Sequence, residues 1–205
     1  MKKISPKITS RILLYLRTLE SLLKEKNNLI SSRELASITG LTDVQIRKDV
    51  SNFGKIGTPR IGYPIRELKG VLEDFVLRHE AMRVVLFGAG NLGQAILKYP
   101  GFHPDKIKLV AAFDCAENQV GKIINGTTVY AVSRAPAIIK KTRADIGIIA
   151  VPEESSQEVA DLMVLSGLRG IVNFSPRSIN VPKKVYVKDI DFTIEFLALF
   201  CDINQ

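Results

Sequence analysis

The sequence predicts a mixed α/β protein in which a small helical domain precedes a doubly wound parallel sheet. Two capped helical segments near residues 32–53 predict the first part. Short, continuous apolar runs separated by helical segments, which are typical of parallel strands buried on both faces, predict the second. We expect domains at residues 1–80 and 81–190, followed by a terminal helix at 191–205.

Composition favours a cytoplasmic protein without a disulfide framework. The chain has 205 residues, 46% of them hydrophobic, but no apolar run approaches the ~20 residues that a membrane span needs. Basic residues at the N-terminus are not followed by the apolar core of a signal peptide. The two cysteines, Cys115 and Cys201, form no metal-binding or redox pair motif.

The first 80 residues carry most of the positive charge and predict a helix-turn-helix. They contain 15 Lys and Arg against 9 Asp and Glu, whereas the remaining 125 contain 14 against 12. An amphipathic helix is expected at 7–26, and Ser31 and Thr42 are expected to cap two short helices around Gly40. A local positive excess indicates an anionic partner, either nucleic acid or a membrane surface, or only surplus surface lysine.

The second short helix is suited to reading DNA. Its pattern turns Ile46, Val50 and Phe53 inward, so that four polar side chains, Arg47, Lys48, Ser51 and Asn52, point outward. Such side chains can contact base edges or phosphates in a major groove. The glycine-rich and proline-rich segment that follows predicts a β-hairpin or ribbon, whose Lys55 and Arg60 would face phosphates. The alternative is an ordinary solvated helix face.

A dinucleotide site is predicted where the first long apolar strand ends. Gly88, Gly90 and Gly93 have the spacing of a Rossmann-type phosphate loop, with a helix expected from Asn91. Asp114 ends the next apolar run, 21 residues after Gly93, and can accept hydrogen bonds from a ribose diol. NAD(H) is therefore favoured over NADP(H). A purely packing turn, or coenzyme A on the same scaffold, remains possible at this point.

Residues for catalysis are hard to find in this sequence. The only histidines, His79 and His103, do not follow a late strand, and Tyr99 has no lysine partner four residues later. No second substrate domain follows the sheet, only a final amphipathic helix with Phe192, Phe196, Leu199 and Phe200 on its apolar face. That face must dock on this chain or on another. We expect a binding protein and not an enzyme.

These motifs together resemble the Rex family of redox-sensing transcriptional repressors. The resemblance rests on QIRKDVSNFGKIG, GAGNLGQAI, YPGF, AAFD, AVP, GIVNFSP and DIDFT, in that order. It implies a winged-helix DNA-binding domain, a Rossmann NAD(H)-binding domain and a C-terminal helix swapped across a homodimer. It also implies binding to a palindromic operator and release when NADH binds.

The resemblance assigns roles residue by residue. It implies that Arg17 and Asp191 form a pair that couples the domains, and that Phe192 enters the partner's site near the nicotinamide. It places the dinucleotide on Gly88, Ala89, Gly90, Asn91, Leu92, Gly93, Tyr99, Asp114, Val151, Pro152, Asn173 and Phe192.

The sequence departs from the family pattern at two points. Pro59 and Arg60 alter the wing, which affects the expected operator preference, and Ser175 adds a hydroxyl near the expected ligand. Two other classes of function stay open on the sequence alone. They are a small NAD-dependent oxidoreductase or coenzyme A-binding, ligase-like protein with an N-terminal extension, and a scaffold that dimerises through its last helix.

Overall fold

A computed structural model describes residues 5–77, 81–102 and 106–204 of the chain. The chain divides into two compact units at residues 79 and 80. The first unit contains, in order, α1 (Pro6–Lys24), β1 (Leu29–Ile30), α2 (Ser32–Thr39), α3 (Asp43–Ser51), β2 (Tyr63–Pro64) and α4 (Ile65–Leu77).

Local capping signals start and stop the two short helices of the first unit. The Ser31 hydroxyl accepts the Glu34 N–H and the Glu34 carboxylate accepts the Ser31 N–H, a reciprocal capping box. Thr42 and Gln45 repeat the arrangement at the start of α3. Gly40 ends α2 in the left-handed conformation with φ of 70°. The predicted helix-turn-helix is therefore confirmed.

The helices of the first unit enclose a single apolar core. Ile12, Leu16 and Leu19 from α1 are buried there with Ile46 and Val50 from α3, as their spacing predicted. The turns and short strands predicted after α3 are present, and Thr58 and Gly62 form an antiparallel bridge. Residues 58–62 form a tight turn, and β2 then pairs antiparallel with β1, a two-residue strand that the sequence analysis missed.

The second unit is an α/β layer structure. Its elements are β3 (Met82–Phe87), α5 (Asn91–Leu97), β4 (Ile107–Asp114), β5 (Ile123–Ile124), β6 (Thr127–Ala131), a 3₁₀ turn (Val132–Arg134), α6 (Ala135–Thr142), β7 (Ile146–Ile149), α7 (Glu153–Leu165), β8 (Gly170–Asn173), β9 (Tyr186–Asp189) and α8 (Phe192–Ile203). Apolar cores lie on both faces of the sheet, built around Val85 and Phe87 on one side and Val84 and Leu86 on the other.

The sheet has the strand order β5-β6-β4-β3-β7-β8-β9, and all pairs are parallel except β5 with β6. From β3 the chain builds outward to β4 and β6 on one side, then returns to add β7, β8 and β9 on the other. This reversal between β3 and β7 is the topological switch point where doubly wound folds bind ligands. The predicted Rossmann-type parallel sheet is confirmed.

The last helix, α8, forms as predicted but packs against little of its own chain. None of its residues is buried, and its large apolar side chains are more than half exposed: Phe192, Ile194, Phe196, Leu197, Leu199, Phe200 and Ile203. Among the described residues, no helix is both long and apolar enough to cross a bilayer. A row of exposed apolar side chains on a helix marks an interaction surface.

Candidate functional site

The glycine loop makes the turn between β3 and α5 as its spacing predicted. Gly88 has φ of 94°, a conformation that a side chain rarely adopts, and a Cβ there would overlap the carbonyl of Ala150, the residue after β7. A Cβ on Gly93 would overlap the Gly88 carbonyl, so its absence lets α5 start close against the strand. Gly90 meets no other atom within 4 Å of such a position. The backbone of the loop is therefore open at Gly90, where a phosphate could approach it.

Asp114 ends β4 beside this loop and already organises it. One carboxylate oxygen accepts the Ala89 N–H at 2.6 Å, and the other accepts the Ala116 N–H at 2.8 Å. Each oxygen of an ionised carboxylate has more than one acceptor position, so the group can hold the loop and still accept a ribose hydroxyl. The side chain is only partly buried, which leaves it accessible to a ligand.

A cavity of about 660 Å³ opens at the carboxyl ends of β3, β4 and β7. Five of the predicted ligand-binding residues line it: Gly88, Gly90, Asp114, Val151 and Pro152. Other apolar side chains of its wall include Val132, Val159 and Leu162, and Cys115 also lines the cavity. An apolar wall, a carboxylate for a diol and a bare loop for phosphates fit a dinucleotide.

The other seven predicted ligand residues do not line this cavity: Ala89, Asn91, Leu92, Gly93, Tyr99, Asn173 and Phe192. Tyr99 and Phe192 are the two that were predicted beside the nicotinamide. Tyr99 packs edge-on against Phe102 with ring centroids 5.1 Å apart, and both line a separate cavity of about 220 Å³. Phe192 begins α8 with 58% of its surface exposed, and it lines neither cavity. Their contact with a dinucleotide stays a prediction that requires a second chain or a movement of this one.

Asn173 and Ser175 have structural partners that the sequence did not indicate. The fully buried Asn173 amide donates to the Arg177 carbonyl and to the Asp189 carboxylate, and its oxygen accepts the Ser175 N–H. The buried Ser175 hydroxyl accepts the Arg177 N–H at 3.4 Å. Both side chains therefore organise the turn after β8, and neither lines the large cavity.

The candidate DNA-reading residues of α3 are all exposed, and Arg47 is held in place. Its guanidinium donates to the Asp43 carboxylate at 2.6 Å and to the Ser32 hydroxyl at 3.3 Å. Both contacts use the same nitrogen, Nη1, so the remaining N–H groups can donate elsewhere. The Ser51 hydroxyl and the Asn52 amide donate to the carbonyl of Lys48 near the end of α3.

The turn at residues 58–62 forms one wall of a cleft with α2 and α3. Arg60 stands exposed at its tip with φ of 69°, and Gly62 packs against the Ile30 carbonyl where a Cβ would lie 2.6 Å away. The cleft measures about 660 Å³. Asp43 is the one carboxylate among its described lining residues, whereas four cationic side chains line it: Arg33, Arg47, Lys55 and Arg60. This charge balance suits phosphate groups.

A buried ionic network behind α3 escaped the sequence analysis. Arg11 of α1 donates two hydrogen bonds to Asp49, at 2.6 and 2.7 Å, and Tyr15 donates a third at 2.9 Å. Burial raises the pKa of Asp49, but the hydrogen bonds from Arg11 and Tyr15 outweigh it and leave that pKa below its ordinary value. Burial, followed by the bond to Asp49, raises the pKa of Tyr15. The sequence does contain one indication of this network, because Asp49 falls on the inward face of the predicted helix, where a carboxylate needs partners.

The predicted coupling residues lie apart in sequence and each is accessible. Arg17 is exposed on α1, and no ion pair of its side chain is found among residues 5–77, 81–102 and 106–204. Asp191 caps α8, where its carboxylate accepts the Thr193 N–H at 2.8 Å. His79 and His103 lie outside the described residues.

Comparison with known proteins matches both parts of the chain. Residues 79–177 match a family model described as "CoA binding domain", and residues 3–51 match one described as "Putative DNA-binding protein N-terminus". The chain is 36% identical over 203 residues to the redox-sensing transcriptional repressor Rex of Carboxydothermus hydrogenoformans. That alignment covers 99% of this chain and 98% of the relative.

Solved structures match the whole chain as well. The crystal structure of RSP, a Rex-family repressor, in complex with β-NAD⁺ and operator DNA superposes with a TM-score of 0.90 at 33% identity, covering 100% of this chain and 94% of that one. RSP in complex with β-NADH gives a TM-score of 0.88 at 32% identity, covering 100% and 96%. On the strength of its full-length likeness, the chain belongs to the Rex family of redox-sensing transcriptional repressors.

Proposed function

We propose that this protein is a transcriptional repressor that binds a palindromic operator and leaves it when NADH binds. The observation that carries this proposal is the presence, in one chain, of a dinucleotide cavity at the sheet switch point and an exposed basic helix in a separate unit. RSP has been crystallised with NADH, and with NAD⁺ together with operator DNA. The relatives carry the name of repressors and not of enzymes.

The dinucleotide would bind with its adenosine half against Asp114. The carboxylate would accept the ribose hydroxyls and repel a 2′-phosphate, so NAD(H) is favoured over NADP(H). The pyrophosphate would lie on the loop from Gly88 to Gly93, and Val151 and Pro152 would contact the bound ligand. When bound, the nicotinamide supplies the chemical difference between the two redox states, and this chain only has to hold it.

The functional unit would be a homodimer that exchanges α8. The exposed apolar row on α8 supports this, because such a surface is stable only when another apolar surface covers it. A second copy of the chain is the partner that the family resemblance implies. Exchange would bring Phe192 of one subunit near the nicotinamide in the other. Phe192 is exposed within a single chain, so it is available for that contact.

On DNA, α3 would read the major groove and the turn at 58–62 would contact phosphates. Arg47, Lys48, Ser51 and Asn52 would lie toward the bases, with Lys55 and Arg60 at the backbone. Two such helices in a dimer read half-sites at a fixed spacing, so a modest rotation of one unit prevents binding. Arg17 and Asp191 would form the ion pair that holds one of the two arrangements.

The decisive experiment measures duplex binding while each nucleotide is titrated. Sequencing of duplexes retained from a random library supplies the operator, and a gel-shift assay then follows release. We expect release by NADH, little effect of NAD⁺, and a much weaker response to NADPH. Operator binding that is the same with and without NADH would contradict the switch.

Coenzyme A is the second candidate ligand, because residues 79–177 match the family model described as a CoA binding domain. A titration calorimetry experiment with coenzyme A, NADH and NAD⁺ separates the two. The proposal predicts tight binding of NADH and none of coenzyme A at the same concentrations. Consumption of NADH in the presence of a carbonyl compound would instead favour an oxidoreductase.

A further inference from the structure

The inward face of α3 carries a carboxylate that the proposed DNA and dinucleotide contacts do not use. Asp49 is 2% exposed, yet it follows the exposed Lys48 directly in the helix. All three of its hydrogen bonds come from one helix, α1, where Arg11 and Tyr15 lie one turn apart. Among the described residues, no buried side-chain nitrogen or oxygen is without a partner.

This network constrains α3 in a way that apolar packing does not. Arg11 pairs with Asp49 through two parallel hydrogen bonds, which fix the relative orientation of the two side chains as well as their distance. The neighbouring contacts of Ile46 and Val50 are apolar and therefore non-directional. Rotation of α3 about its own axis would break these directional hydrogen bonds.

Such a rotation would displace the groups that read DNA. Side chains extend to about 5 to 6 Å from a helix axis, so a roll of about 10° moves their ends by roughly 1 Å. A hydrogen bond tolerates a spread of only about 0.5 Å in length. Arg47 and Lys48 would consequently lose their alignment with base edges while α3 stayed folded.

We propose that Arg11, Tyr15 and Asp49 are positioning residues for operator recognition, which set the rotation of α3 against α1. This inference rests on the proposed DNA-binding function. Because α1 also carries Arg17, the predicted coupling residue, the network gives α1 a direct mechanical connection to the reading helix. A displacement of α1 would be passed to α3 as a rotation.

The test uses the full chain with Arg11→Lys and Tyr15→Phe. The first keeps the charge but removes the forked geometry, and the second keeps the ring but removes one hydrogen bond. The matched control is Lys69→Met, which breaks the ion pair of Lys69 with Glu73 within α4, 2.8 Å long. For each variant we would measure affinity for the selected operator, discrimination against duplexes with one changed base pair, NADH affinity and thermal stability.

We expect Arg11→Lys to reduce operator affinity by about 10-fold to 100-fold and to reduce base-pair discrimination by about 10-fold, the scale of one lost base contact. Tyr15→Phe should produce a smaller change in the same direction, with NADH affinity unchanged in both. Lys69→Met should stay within about twofold of wild type in operator affinity, since this pair lies within one helix at positions i and i+4, where such pairs contribute little.

Discrimination between the operator and duplexes with one changed base pair distinguishes a positioning role of the network from a role in stability alone. Variants that melt earlier but discriminate like wild type, at a temperature where they are fully folded, would overturn the proposal. If Arg11→Lys does not fold, the test rests on Tyr15→Phe alone. Base-pair discrimination equal to that of wild type in Tyr15→Phe would then overturn the proposal. If the wild-type chain retains no duplex from the random library, the proposed function itself is refuted. That selection is carried out before any variant is made, so the two failures can be distinguished.

Discussion

Replacing Asp114 by Asn tests the ligand assignment with the least change of shape. In the described structure the two carboxylate oxygens each accept a backbone N–H, from Ala89 and from Ala116. An amide of the same size has one oxygen, so its NH₂ group must face one of these donors. The substitution therefore weakens the hold on the glycine loop and removes the charge that would accept the ribose hydroxyls.

The expected magnitude follows from the hydrogen bonds that are lost. A hydrogen bond to a charged group contributes about 1.5 to 3 kcal/mol. Since about 1.4 kcal/mol corresponds to a tenfold change in affinity, Asp114→Asn should weaken NADH binding by about 10-fold to 150-fold. NADPH should lose less, because the same change removes repulsion of its 2′-phosphate. The ratio of NADH to NADPH affinity should therefore fall.

Titration calorimetry on the full chain measures both affinities. Asp145→Asn is the matched control, because the Asp145 carboxylate accepts the Arg83 N–H at 2.9 Å just before β7, away from the cavity. We expect the control to bind NADH within about twofold of wild type, as a site with no ligand contact should. Unchanged NADH affinity in Asp114→Asn, or an equal loss for NADH and NADPH, would refute the assignment.

Three further predictions concern the loop, the dimer and acid stability. Gly93→Ala should abolish NADH binding in calorimetry because its Cβ overlaps the loop carbonyl, whereas Gly70→Ala, with open space inside α4, should raise the melting temperature. Phe196→Lys on α8 should convert the proposed dimer to a monomer in sedimentation, whereas Ile123→Lys, equally exposed on β5, should not. The pKa of Asp49 is below its ordinary value, because its hydrogen bonds outweigh burial. Its stabilising contribution is thus complete at neutral pH and lost as the pH falls below about 4, so the melting-temperature gap between wild type and Asp49→Asn should narrow at low pH.

Local signals account for the parts of the fold that the sequence predicted. Ser31 and Thr42 cap their helices through residues only three positions away, so the pattern is visible in a short window. The strands that are buried on both faces of the sheet are continuous apolar runs, and such a run can also be recognised within a short window of sequence. By contrast, β1 and β5 have two residues each, and β9 is mostly exposed. Such short or exposed strands are defined by their hydrogen bonds to a neighbouring strand, so no apolar run in the sequence identifies them.

The same distinction applies to the candidate sites. The spacing of Gly88, Gly90 and Gly93 is local, and so the loop geometry follows from it. Arg11 and Asp49 are 38 residues apart, and the partners of Asn173 extend to Asp189. A sequence can indicate that a buried carboxylate or amide needs partners, but only the packing of distant elements identifies them.

The cavity around Asp114 cannot by itself distinguish the two redox states. NADH and NAD⁺ share the adenosine and the pyrophosphate, so contacts made by Asp114 and the glycine loop stabilise both alike and shift no equilibrium between two domain arrangements. Asp114→Asn should therefore weaken both ligands by the same factor and leave their affinity ratio unchanged. The ratio has to arise where the nicotinamide lies, and the two residues predicted there, Tyr99 and Phe192, both lie outside the cavity in the described chain. Redox sensing is thus expected to depend on assembly of the dimer, whereas dinucleotide binding depends on the single chain.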